Sequence, residues 1–338
     1  MPLEISPFVI TCPQNAQSAP GTFLKMTANR YSTPESHADT RGLTLVFGHG
    51  PGAHKEQWSA TIEELFPLQP SRYPHSRVYE AWSLDCMNHG DAALLNREEL
   101  SSNRKDAPFE WAEAIAAFLR SPQMEGKRIV LLAHSAGAMA VALSTKTTRR
   151  DQPLPCVGII FVEPFMMTAD VYYLHLDKDI QQLVLRTESR RDKWPSREVA
   201  YPFFKVRHPY DVFSPRVFNA WMMHGLVDTP DGGVTLKCNK SQEAQCYRYF
   251  IDGLTASFDQ IAHVCLKIPV YIIWGTRVDP LVPQAARDLV SWIPSSNRVQ
   301  GGHPLPQENP AGVAVEICRV LDTFSSVWIR ESQITSRL

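Results

Sequence analysis

Ser135 stands where an apolar run meets a stretch of small residues, Arg128-Ile-Val-Leu-Leu-Ala-His-Ser-Ala-Gly-Ala-Met-Ala-Val-Ala-Leu. A strand, the turn Ala133-His134-Ser135-Ala136-Gly137 and a small-residue helix together have the form of a nucleophile elbow. Such a turn holds its serine in a strained backbone and pushes Oγ out at the top of a sheet. Small neighbours let strand and helix approach closely, with Ala133 standing where glycine is more usual. The plainer alternative is a serine that caps a core helix. A serine hydroxyl is a weak nucleophile at neutral pH, so it needs a histidine base and a carboxylate to orient that base, in the chain order serine, acid, histidine. His303, in Val299-Gln-Gly-Gly-His-Pro-Leu-Pro, is the histidine late enough in the chain. Two carboxylates compete for the third place. Asp279 lies in Trp274-Gly-Thr-Arg-Val-Asp-Pro-Leu-Val-Pro, and Glu163 ends the run Ile159-Ile-Phe-Val-Glu-Pro. Either could accept from the imidazole Nδ1 and stabilise the imidazolium, and the residues themselves leave the choice open.

The chemistry such a set performs is acyl transfer, which also needs backbone donors for an oxyanion. Ala136 N–H, one residue past the serine, supplies one. The second is expected from Phe47-Gly-His-Gly-Pro-Gly-Ala-His-Lys-Glu, but Pro51 occupies the usual position and has no N–H. The donor then shifts to Gly52 or Ala53.

These residues need a scaffold that delivers them to one crevice. Short runs rich in Val, Ile and Leu at Leu43–Phe47, Val78–Leu84, Arg128–Leu132, Gly158–Val162 and Val270–Trp274 read as buried strands. They alternate with helix-like stretches, the pattern of a mostly parallel sheet covered by helices, whose chemistry gathers at the strand ends. Asp106 and Pro108 open a helix that sets Trp111, Ile115, Phe118 and Leu119 on one face. Asn309-Pro310 opens another, with Val313, Ile317, Val320, Leu321 and Phe324 as its buried stripe. About a hundred residues of poor strand character separate two of the strands, too many for a loop. The expected organisation is a core domain of residues 1–164 and 266–338 interrupted by an inserted, largely helical lid of residues 165–265. Within the lid, residues 186–207 carry seven basic and three acidic side chains. Arg190 and Arg191 are candidate contacts for the phosphates of a coenzyme A thioester, since guanidinium groups present paired donors to phosphate. The lid aromatics read equally as an acyl pocket or as the lid's own packing.

Composition excludes several classes. The 338 residues hold 34 Lys and Arg against 35 Asp and Glu, so no global field draws the chain to nucleic acid or anionic lipid. With 44% apolar and 20% charged residues the chain is an ordinary globular one, neither disordered nor fibrous. Seven scattered cysteines, odd in number and without a CxxC pair, suggest neither a disulfide framework nor a zinc site, and point to a reducing compartment. No secretory leader, membrane span, nucleic-acid motif or metal-ligand cluster is read, and no cofactor is called for.

The sequence resembles the α/β-hydrolase family over nearly its whole length and, within it, the fungal peroxisomal hydrolases: the peroxisomal lipase, the acyl-CoA hydrolase of mycophenolic acid synthesis and the hydrolases of Alternaria toxin clusters. The likeness rests on His49-Gly-Pro-Gly-Ala-His-Lys-Glu-Gln-Trp, on Trp82-Ser-Leu-Asp-Cys-Met-Asn-His-Gly-Asp-Ala and on Asn96, with Pro51 standing where the group has Asn. It implies the α/β-hydrolase fold, Ser135 and His303 as catalytic residues, and Glu163 rather than Asp279 as the acid. It further implies a small acyl substrate, a coenzyme A thioester, handled in fungal secondary (toxin) metabolism. The ending Ser336-Arg337-Leu338 is similar to the Ser-Lys-Leu address read by the peroxisomal import receptor, giving a peroxisomal matrix location as the expectation. The alternatives are an oxygen-ester hydrolase or lipase with the same residues, or a ligand-binding homologue without turnover.

Overall fold

A computed structural model of the chain describes residues 3–14, 21–34, 42–69, 72, 74–101, 107–146 and 152–335. Asp106 and the tripeptide Ser336-Arg337-Leu338 lie outside the described residues. Seven strands form one sheet: β1 (Glu4–Thr11), β2 (Lys25–Ser32), β3 (Leu43–Gly48), β4 (Val78–Leu84), β5 (Arg128–His134), β6 (Gly158–Val162) and, after a long excursion, β10 (Val270–Ile273). Their order across the sheet is β1-β2-β4-β3-β5-β6-β10. The pairs from β4 to β10 are parallel, whereas β1 and β2 add an antiparallel edge.

The alternation of side chains along β5 divides the core in two. Ile129, Leu131 and Ala133 face one cluster, with Trp111, Ile115 and Phe118 of α3 (Ala107–Leu119), Met139 of α4 (Gly137–Ser144) and Leu254 of α10 (Phe250–Val264). Val130 and Leu132 face the other, with Ile62 of α1 (Ser59–Leu65) and with Val313, Ile317 and Phe324 of α13 (Pro310–Thr335). Both faces are covered, which is why β3 through β6 read as continuous apolar runs. Three short helices complete the core segments: α2 (Gly90–Leu95), α11 (Gln284–Leu289) and α12 (Leu305–Glu308).

Residues 165–265 contribute no strand to this sheet. They form α5 (Ala169–His175), α6 (Asp177–Ser189), α7 (Arg197–Lys205), α8 (Pro215–His224), α9 (Lys240–Arg248) and α10. They also carry a separate antiparallel sheet, ordered β7-β9-β8, from Lys193–Trp194, Val234–Leu236 and Leu226–Asp228. Trp194, Phe204, Phe213, Phe218, Trp221 and Met222 pack together as a third cluster, so the aromatic residues of this stretch mainly serve its own packing.

Candidate active site

The C-terminal ends of β5 and β6 each deliver one side chain on a left-handed backbone. Ser135 has φ 54° and Glu163 φ 47°, the two non-glycine residues with positive φ among those described. Such a conformation costs on the order of 1–3 kcal/mol and survives where the surroundings fix it. Here the ties are mutual: Ser135 N–H donates to the Val162 carbonyl (3.2 Å), and the Ser135 carbonyl accepts from Phe165 N–H (3.1 Å). Glu163 N–H donates to the Ile273 carbonyl of β10 (3.0 Å). Close packing at Gly137 completes the turn, since a Cβ there would collide with the His49 carbonyl.

His303 arrives on the loop before α12, and its Nε2 lies 2.8 Å from Ser135 Oγ. The two stand in the relation of a nucleophile to its general base, separated by 168 residues in sequence. On its other side, His303 Nδ1 lies 3.7 Å from Glu163 Oε2 and has no hydrogen-bond partner among the described residues. Glu163 is fully buried. Its carboxylate accepts from Gly275 N–H (2.6 Å) and from Arg287 Nη2, at 2.9 Å to Oε1 and 3.0 Å to Oε2. Asp279 is directed elsewhere: its Oδ1 accepts from Leu281 N–H (3.2 Å), a local turn bond. The geometry thus brings Ser135, His303 and Glu163 together and leaves Asp279 in a loop-capping position.

The loop after β3 differs from expectation. Gly52, at φ 74°, turns its N–H onto His89 Nε2 (3.1 Å), and Ala53 N–H closes a turn onto the Gly50 carbonyl (3.2 Å). Both donors expected to complete an oxyanion site are therefore already bonded. Ala136 N–H opens α4, at a helix start where donors lack intrahelical acceptors. Gly50 lies against Ser135, for a Cβ there would sit 2.9 Å from Ser135 Cβ.

Three buried histidines fix this neighbourhood. His49 Nε2 accepts from Cys86 N–H (3.0 Å), leaving Nδ1–H to donate to the Gly50 carbonyl (2.8 Å). Burial pushes its pKa down to about 4. His89 accepts from Gly52 at Nε2 and so donates from Nδ1 to Asn88 Oδ1 (2.7 Å), with its pKa held well below the ordinary value by burial. His134 donates from Nε2 to the carbonyl of His303 (2.7 Å), and burial lowers its pKa to about 3. His134 thereby ties the backbone of the histidine loop to the residue preceding the serine. Neither this tie nor Arg287 was read from the sequence. The available signal for Arg287 was its place beside Ala286 on a short helix between buried Val282 and Val290.

Residues of the quoted motifs hold loops. Buried Asn96 accepts from Lys25 N–H (2.8 Å) and donates to the carbonyls of Lys25 (2.7 Å) and Met87 (2.8 Å). Asp85, also fully buried, accepts from Lys55 N–H (2.8 Å), Lys55 Nζ (3.1 Å), Thr27 Oγ1 (2.7 Å) and Asp91 N–H (3.1 Å). Lys55 Nζ further reaches Glu56 (2.7 Å) and Asp91 (2.6 Å), and Lys237 from residues 165–265 joins Asp91 at 2.5 Å.

Arg190 does not stand ready for a phosphate. Glu243, buried on α9, requires a cation, and both terminal nitrogens of the Arg190 guanidinium donate to its carboxylate, one at 2.9 Å. Arg191 is exposed, bonds the Lys193 carbonyl (2.8 Å) and lies over the Trp194 and Phe203 rings.

An apolar cavity adjoins the serine turn, lined by Gly50, Trp111, Ala136, Met139, Ala140 and Phe250 among others. His49 and His89 reach it with both ring nitrogens already engaged. Among the described residues no group of three or more His, Cys, Asp or Glu could hold a metal ion, and no helix is long and apolar enough to cross a membrane.

A family model described as the alpha/beta hydrolase family matches residues 45–316. No curated protein sequence matches the chain. Among solved structures, the peroxisomal alpha-beta-hydrolase Lpx1 from Saccharomyces cerevisiae superposes with TM-score 0.74 at 18% identity, over 96% of this chain and 90% of that one. The thioesterase domain from the curacin biosynthetic pathway gives 0.59 at 14% identity, over 94% and 99%. A thermophilic esterase from Thermogutta terrifontis gives 0.59 at 16% identity, over 94% and 99%. At these identities the likeness is one of fold.

Proposed function

Because the chain belongs to the alpha/beta hydrolase family, we propose that it is a serine hydrolase working through an acyl-enzyme, and more specifically a peroxisomal acyl-CoA thioesterase of fungal secondary (toxin) metabolism. The observation that carries the first part is the 2.8 Å approach of His303 Nε2 to a serine held at φ 54° on a strand-to-helix turn. Ser135 Oγ attacks the acyl carbonyl while His303 takes its proton. Glu163 orients the imidazole and offsets its charge, and Ala136 N–H receives the developing oxyanion. The proton returns from His303 to the departing thiolate or alkoxide, and water then repeats the sequence on the acyl-enzyme. In this reading the apolar cavity beside Ala136 takes the acyl group, which is accordingly uncharged and compact. Gly52 N–H can serve as second oxyanion donor only by releasing His89.

The thioester, peroxisomal and toxin-pathway parts are supported by the sequence resemblance and the Ser336-Arg337-Leu338 ending, and by the fold likeness to a peroxisomal hydrolase and to a thioesterase domain. The test is free-thiol release from a ladder of acyl-CoAs beside matched p-nitrophenyl esters, for wild type and Ser135→Ala. Ser135-dependent release with far higher kcat/KM on the thioesters is the expected result. Cleavage of the esters alone would replace the thioesterase with an oxygen-ester hydrolase. Absence of turnover and of phosphonate labelling at Ser135 would leave a ligand-binding homologue.

A further inference from the structure

In a hydrolytic triad the acid accepts from the histidine's Nδ1–H, and here a second group also bonds it. Arg287 Nη2 bonds both oxygens of Glu163, its Nη1 donates to the Gly275 carbonyl (3.2 Å), and Nη2 also reaches the Arg277 carbonyl (3.1 Å). The guanidinium is 4% exposed and lies 4.7 Å from the centroid of the Trp274 ring. Glu163 Oε2 is thus 3.0 Å from Arg287 but 3.7 Å from His303 Nδ1, which has no hydrogen-bond partner among the described residues. Resting on the triad reading above, we infer that Arg287 is a positioning residue that holds the acid back from His303 and weakens its pull on the imidazolium.

The electrostatic argument is direct. A carboxylate beside an imidazole favours the protonated ring, and a cation bonded to that same carboxylate removes much of that preference, most effectively where water is excluded. Other charged groups around His303 do not replace this effect. Arg277, which approaches Gly302, is paired with Glu308 of α12, at 2.7 and 3.2 Å. His134 of β5, its ring 5.2 Å from that of His303, is held neutral by burial. Asp279, on the loop between β10 and α11, is turned to its own backbone. Arg287 therefore sets how strongly Glu163 can stabilise the imidazolium that forms when His303 accepts from Ser135.

The test follows the rate at which a fluorophosphonate probe labels Ser135 across pH, which needs no knowledge of the natural substrate. In Arg287→Gln the acid limb of that profile should move to higher pH by about one unit, the lower end of what a neighbouring charge does. Arg287→Lys should keep the charge but free one carboxylate oxygen. Its acid limb should stay near wild type, and a far-downfield His303 Nδ1–H proton resonance should strengthen relative to wild type. Should Arg287→Gln fail to fold, the Arg287→Lys spectrum still decides. An unmoved acid limb in Arg287→Gln, or an Arg287→Lys spectrum identical to wild type, overturns the inference and leaves Arg287 as packing for a buried carboxylate. Glu163→Gln separates the premise from the inference: labelling as fast as wild type in that variant would remove Glu163 from the triad and the inference with it.

Discussion

Replacing Glu163 by Gln keeps the shape of the side chain, retains an acceptor for Gly275 N–H and removes the charge that the imidazolium needs. If the proposed roles hold, kcat falls by roughly 10³–10⁴-fold. Asp279→Asn, whose side chain can still accept from Leu281 N–H, stays near wild type, and steady-state kinetics on one substrate compares the two. At this scale the serine and histidine were legible because each sits in a short run whose composition permits little else: a small-residue turn after an apolar strand, and a Gly-Gly-His-Pro loop before a helix. Which carboxylate stands beside His303 was legible only through the family resemblance, since by the residues alone Glu163 and Asp279 both follow strands and could both reach the crevice. What separates them is that Glu163 is drawn inward by Gly275 and Arg287, neighbours 112 and 124 residues away. The oxyanion donors failed for a related reason, because no pattern in Gly52-Ala53 reveals that His89 and Gly50 accept their N–H groups.

The helix α4 works only because it begins against the β3 loop. Gly137→Ala puts a methyl into the His49 carbonyl, so the helix must back away or the loop must move, and with it the Ala136 N–H and Ser135. Overpacking of this kind costs about 1–3 kcal/mol. The expected result is a folded protein with a lowered urea midpoint and a larger proportional loss of kcat than of stability. Five parallel strands were legible at this level to within two residues at their ends, β5 running on from the expected Leu132 to His134, since burial on both faces writes a mostly apolar run. β1 and β2 were not: Glu4–Thr11 is largely exposed, and Lys25–Ser32 carries Lys, Asn and Arg along an antiparallel edge. The two- and three-residue strands of the small sheet between residues 193 and 236 are too short to show any period.

Taken whole, the molecule holds three imidazoles neutral in its interior, and this fixes its response to acid. At pH above 6.5, the ordinary histidine value, folded and unfolded chains alike leave His49, His89 and His134 neutral, so these groups make stability no function of pH there. Below it the unfolded chain takes up protons that the folded chain refuses. Stability therefore drops as pH falls from about 6.5 toward about 4 for His49 and toward about 3 for His134. Each ring contributes a slope of up to about 1.4 kcal/mol per pH unit. Urea midpoints should decline steeply between pH 7 and pH 5, and His134→Gln, which can still donate to the His303 carbonyl, should flatten that decline. The buried charges at Lys55, Glu56 and Asp85, joined by half-buried Asp91 and by Lys237, bind residues 165–265 to the core through the same neighbourhood.

The left-handed turn at Ser135 has a further consequence for how this protein would fare under selection. Ser135→Ala and Ser135→Gly both discard the hydroxyl, but only glycine relaxes the φ of 54°. The glycine variant should therefore melt above the alanine one by a few degrees, the equivalent of about 1 kcal/mol. Any library screened for heat resistance alone would drift toward glycine at this position. Under the role proposed for Ser135, such a screen would reward the loss of catalysis, and a useful one must score heat and turnover together.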